Sequence, residues 1–193
     1  MDSWLPWLAM AGSGALHGLN PATGWLLAAA WGLRSGDRSH AVRALVPIAV
    51  GHGCAVVLVG AAVAFGASLD RALVQLLAAT MLAAGLAAHW SGRRALLARL
   101  PAGHAGLALW SFLVAMAHGA GMMLVPALVP LCFGAALPAA GGTLPFAWAP
   151  LSMALAAVAL HMAAMLVVTG AIASGICRGI MAGAQRWRAG RQR

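Results

Sequence analysis

Four histidines, His17, His52, His118 and His161, each lie near the middle of a separate apolar stretch of this 193-residue chain. An imidazole is costly at bilayer mid-depth and there usually faces a bundle interior, a cavity or a bound group. In its neutral form it offers a nitrogen lone pair, a donor that suits nickel, cobalt, copper and zinc. Met122 follows His118 by four residues, and Met165 follows His161 by four. Positions i and i+4 share a helix face, so each pair would present an imidazole beside a thioether, which favours softer ions such as copper(I). Met10 precedes His17 by seven residues, on a similar face. The candidate metal ligands are therefore His17, His52, His118, Met122, His161 and Met165. No Asp or Glu interrupts these stretches, which makes magnesium and calcium poor candidates. A single histidine in a membrane helix often only bridges to its neighbour, and methionine is ordinary packing filler. The chemical reading rests on four rings recurring at one depth. His40, His89 and His104 fall in loops or at the ends of apolar runs, where solvated rings cost little.

The elements that would position these residues follow from composition. The chain is 63% hydrophobic and 8% charged, with a mean hydropathy of +0.90, which points to a polytopic, all-α membrane helix bundle. The formal charge of +9 comes from arginines gathered at the ends of apolar runs. They read as topology anchors and not as a nucleic-acid face, so no nucleic-acid partner is expected. Lys and Glu are absent and every basic residue apart from histidine is Arg, a usage that fits a GC-rich bacterial genome. The expected location is the bacterial inner membrane, multi-pass, with the lipid bilayer as the main partner. Cys54, Cys132 and Cys177 show no CxxC spacing and read as small packing residues.

Five spans are expected: about Trp4–Trp31, Ala44–Ala67, Ala72–Trp90, Gly106–Leu128 and Phe146–Ile176. The bent, Gly/Pro-rich connection Leu131–Pro145 would precede the last. The first run is long for one span and should break at Asn20-Pro21, because proline removes a backbone donor and clashes with the preceding turn. Its first residues lack a basic cluster, so it reads as a retained span and not a cleavable signal. Five spans put the Arg-rich loops and the Arg-rich tail on one face, giving N-out and C-in by the positive-inside rule. Residues 1–177 then form one transmembrane domain and 178–193 a basic cytoplasmic tail. Gly12, Gly14, Gly18, Gly119 and Gly121 read as close-packing positions between helices. His17-Gly18 and His118-Gly119 form a faint internal echo on spans of opposite direction, as an inverted-repeat transporter would have.

Leu16-His17-Gly18-Leu19-Asn20-Pro21-Ala22-Thr23 resembles the first signature of the bacterial nickel/cobalt transporter families, of the form His-x4-Asp-His. Ala49-Val50-Gly51-His52-Gly53-Cys54 resembles their next helix, with its Gly-His followed by small and branched residues. The resemblance covers about the first third of the chain and implies a distant, shortened relative, within the wider lysine-exporter-like superfamily. It carries over only His17 and His52 as ligands. Ala22 and Thr23 stand where the signature has an acid and a second histidine, and Asn20 where another Asp is common.

The leading expectation is a small inner-membrane transporter that moves a transition-metal cation (nickel, cobalt, copper or zinc), or another small solute, through an intramembrane His/Met site. Asn20, Pro21 and Thr23 would touch the substrate at the broken helix, with backbone carbonyls freed toward it. A homodimer would thicken so slender a bundle. Three rivals stay open: a haem-binding electron-transfer protein with axial histidines, an amino-acid-type exporter, and a structural or assembly subunit that grips partners through Gly/Ala faces. An enzyme is not expected, since no nucleophile elbow, P-loop, dinucleotide fingerprint or His-Glu-x-x-His appears.

Overall fold

The computed structural model describes residues 4–64, 70–90, 103–119 and 148–191. Among these, all regular structure is helical. Helix α1 spans Leu5–Leu19, a 3-10 turn covers Pro21–Thr23, and α2 spans Trp25–Ser35. The short α3 (Arg38–Arg43) leads into α4 (Leu45–Ala64). Then come α5 (Arg71–Trp90), α6 (His104–His118) and α7 (Trp148–Gly190).

The first apolar run breaks at Asn20-Pro21, where proline forbids a continuous helix. Asn20 is extended (ψ 123°), and its Oδ1 accepts from the Ala22 N–H at 3.0 Å. Gly24 has φ 146°, a conformation that a side chain would strain. The chain then re-enters a helix at Trp25.

Two helical stretches are long and apolar enough to cross a membrane, Arg38–Ala62 and Ser152–Gly190. Ala72–Ala87 and His104–His118 are shorter apolar helices. The fourth apolar stretch differs from expectation. Its helix does not run from 106 to 128 but ends at His118, where Gly119 turns left-handed (φ 68°) and its N–H caps the last turn. His118 is thus a C-terminal residue of α6, not a mid-helix one. Met122, Cys132 and the Leu131–Pro145 connection lie outside the described residues. The last helix also runs on past Ile176, through Arg178, Arg186 and Arg188 to Gly190. Residue 177 therefore marks a change in composition without a break in the backbone.

Contacts fix the helix directions. Met10 packs with Val56, the His17 ring meets the His52 ring, and Gly24 abuts Ile48, so α4 runs antiparallel to the α1–α2 line. Gly14 lies on the His161 carbonyl, Gly18 on that of Met165, and Cys177 Sγ reaches Ala29 O, so α7 runs parallel to it. The α1–α7 pairing is the most extensive in the fold. Its cause is the pair Gly14 and Gly18, spaced by four, which lets two backbones touch without side chains between them. Gly12 faces open space and plays no such part. Between α4 and α6, Gly51 lies on the Ala108 carbonyl and Ser111 Oγ donates to Ile48 O at 2.9 Å.

The buried face of α7 recurs every fourth residue: Ala157, His161, Met165, Thr169, Ala173 and Cys177. Four residues turn about 400°, so the stripe advances about 40° per step and winds from α1 onto α2. Polarity is inverted relative to a soluble protein. Thr23, His52, Ser111, His161 and Thr169 are buried, whereas Leu8, Leu16, Leu19, Leu26, Val46, Val57, Leu76, Met81, Leu155 and Val167 are exposed. Such an apolar exterior needs lipid or a protein partner to cover it.

Candidate metal centre

Three of the four predicted histidines meet. His17 comes from α1, His52 from α4 and His161 from α7. Their ring centroids are 5.6 Å apart for His17–His52, 5.4 Å for His17–His161 and 6.2 Å for His52–His161. His52 and His161 are buried, and the Nε2 atoms of all three rings are buried without a hydrogen-bond partner. An unpartnered buried polar atom costs free energy that a bound guest can recover.

The separation can be compared with what a shared ion requires. A metal–nitrogen bond is about 2.0–2.1 Å and a ring nitrogen lies about 1.1 Å from its centroid, so three imidazoles on one ion have centroids about 5.2–5.5 Å apart. Two of the three observed distances fall on or next to that range, and the third needs to close by less than about 1 Å. The donors do not yet converge, and among the described residues no three His, Cys, Asp or Glu side chains form a ready-made metal cage. Ring rotation, and an approach of less than about 1 Å between His52 and His161, separate the present arrangement from a coordinating one.

Ser13 sets the orientation and tautomer of His161. Its hydroxyl donates to Met10 O at 3.0 Å and lies 3.0 Å from His161 Nδ1. A hydroxyl has one proton, and a carbonyl can only accept. His161 Nδ1–H therefore donates to Ser13 Oγ, and the lone pair is left on Nε2. Metal-binding histidines commonly have their far nitrogen held in this way. The sequence reading missed Ser13, although it is the only hydroxyl in the first apolar run before the helix break.

His118 is used differently. Its Nδ1 donates to Val114 O at 3.0 Å, and its Nε2 lies 3.1 Å from Asn20 Nδ2. Because Asn20 Oδ1 is already bound to the Ala22 N–H, the amide presents its NH2 group, and His118 Nε2 accepts. Both ring nitrogens are thus occupied, and His118 ties the end of α6 to the break after α1. The residues expected to touch substrate are likewise consumed by the fold. Thr23 Oγ1 lies 2.7 Å from both His17 O and Asn20 O, Trp25 Nε1 donates to Leu19 O, and Pro21 opens the 3-10 turn. These three freed carbonyls are capped from within the chain and do not face a substrate.

The thioethers flank the triad. Met10 packs with Val56 and Ala157, which lie one turn beyond His52 and one turn before His161. Met165 is one turn beyond His161 on the other side, and both methionines are fully buried. The helix ends add an electrostatic bias. α1 ends at Leu19 and the antiparallel α6 ends at His118, and Asn20 and His118 join those two ends. Each C-terminus carries roughly half a negative charge, which favours a cation nearby. The described acids lie elsewhere: Asp37 and Asp70 are exposed caps of α3 and α5.

No protein-family model, no curated protein and no solved structure matches this chain.

Proposed function

We propose that the chain is a multi-pass inner-membrane transporter that carries a transition-metal cation through a site made by His17, His52 and His161. The observation that supports this best is the meeting of three imidazoles from three helices, with every Nε2 buried and unpartnered. The five-span, N-out/C-in arrangement belongs to the same proposal. It agrees with the helix directions, in which α1–α2 and α7 run one way and α4 and α6 the other, and with the leucine- and valine-covered exterior. Neutral imidazole binds metal and imidazolium does not, so movement of the ion would be linked to protons.

The haem reading is disfavoured by space. Two axial imidazoles need a flat macrocycle between them, yet the His17 ring lies within 5.6 Å of both His52 and His161 and fills that place. The test is metal accumulation and metal tolerance in cells that express the chain or His17→Ala, His52→Ala or His161→Ala. Each substitution should abolish the change that the intact chain causes. Identical metal content with and without the chain, across nickel, cobalt, copper and zinc, would remove the proposal.

A further inference from the structure

We infer that the cargo is a soft monovalent cation of the copper(I) type, and that Met10 and Met165 are its thioether ligands on either side of the imidazole triad. The inference rests on the proposed imidazole site and narrows it by charge. Among the described residues, the side chains set along this line are neutral. In order along the bundle stand Met10, the three histidines and Met165. One turn further is Thr169, whose fully buried hydroxyl has no partner. The described acids sit at exposed helix caps. Cys54 is exposed, and the buried Cys177 is four turns along α7 from His161, with its Sγ directed to Ala29 O. Among the described residues, no thiolate or carboxylate is therefore at hand to neutralise an ion.

The cost of bringing an ion from water into a low-dielectric interior rises with the square of its charge. A dication meets about four times the penalty of a monocation, and a neutral donor set returns none of it as ion–ion attraction. The partly capped C-termini of α1 and α6 near the triad supply less than about one negative charge together, a partial balance for one positive charge and far short of two. Donor softness gives the same answer. Imidazole accepts both borderline and soft ions, whereas thioether selects soft ones.

Silver(I) serves as a redox-inert probe of this charge and softness. The full chain, carrying Cys54→Ser and Cys132→Ser to remove other soft ligands, is placed in lipid nanodiscs. Affinity and stoichiometry are measured by equilibrium dialysis for silver(I), nickel(II), cobalt(II) and zinc(II) separately. The expected result is one silver ion per chain, bound at least about a hundredfold more tightly than any dication. Met10→Leu combined with Met165→Leu preserves side-chain bulk and should weaken silver binding at least about tenfold, with helix content by circular dichroism unchanged. A dication that binds as tightly as silver, in a His161-dependent way, overturns the inference and leaves the imidazole site standing. Silver affinity unmoved by the double methionine change also overturns it. Failure of all four cations to bind overturns both this inference and the site beneath it.

Discussion

Gly14→Ala should disable the site without touching a ligand. At Gly18, the next turn, an added Cβ would stand 2.5 Å from Met165 O and 2.9 Å from Val168 Cβ. Ordinary contact begins near 3.4 Å, so α1 would have to retreat by about 0.9 Å. At Gly14 the overlap is with the His161 carbonyl oxygen itself and is deeper. Backbone cannot rotate aside as a side chain can. A retreat of about 1 Å takes the His17–His161 centroid distance from 5.4 Å to roughly 6.4 Å, and unlike the 6.2 Å gap between His52 and His161 this one is held open by a backbone clash and cannot close to the ~5.5 Å of a shared ion. The packing penalty itself is about 1–3 kcal/mol. Gly12 is the control, because a Cβ there meets nothing within 4 Å. Purified Gly14→Ala should show a lower thermal midpoint and at least about tenfold weaker cation binding, whereas Gly12→Ala should match the parent chain in both. If the two alanine variants bind and unfold alike, α1 is not docked on α7 through Gly14 and the geometry argued above is wrong.

Ser13→Ala removes the acceptor that holds His161 Nδ1–H. Cation affinity should fall about 10–100-fold, with a stability loss of about 1–3 kcal/mol from the stranded Nδ1–H, read by binding and by thermal unfolding on the same samples. His118→Ala should leave cation stoichiometry unchanged, since that ring is spent on Val114 and Asn20. It should still lower stability by about 1–2 kcal/mol, by the loss of two hydrogen bonds, in thermal unfolding. At the start of α3, the Ser39 hydroxyl and then the Ser39 backbone N–H hold the Asp37 carboxyl below its ordinary range. A lowered carboxyl stabilises the folded form above its ordinary value of 3.8 and loses that effect as pH falls through the lowered value. Hydrogen-exchange protection of the Ser39 amide should therefore drop only in strong acid, and Asp37→Asn should remove that dependence.

Much of this arrangement was legible in the chain because its helices are written as long apolar runs. The helical class, the break at Asn20-Pro21 and the placing of His17, His52 and His161 on different helices follow from hydropathy and proline chemistry. The Gly14 and Gly18 contacts follow from small-residue spacing. Rotation does not follow, because a mean hydropathy says nothing about which face of α4 or α7 turns inward. The fate of His118 was hidden for another reason. The apolar run continues beyond it, but Gly119 takes a left-handed conformation and ends the helix. That conformation is a backbone choice and leaves hydropathy unchanged. The capping of His17 O and Leu19 O by Thr23 and Trp25 was equally hidden, since the break itself advertises open carbonyls and only the fold shows what fills them. Ser13 did carry a signal in the chain, as the one hydroxyl between Trp4 and the Asn20-Pro21 break, but only the fold shows that it holds His161 on another helix.

Whether the three rings share one ion can be read by nitrogen-15 NMR of the full chain in nanodiscs, with histidine labelled and silver(I) added stepwise. The Nε2 signals of His17, His52 and His161 should shift together and saturate at one ion per chain, while that of His118 stays in place. Three signals that move at different silver concentrations, or a shift confined to one of them, would contradict a shared site.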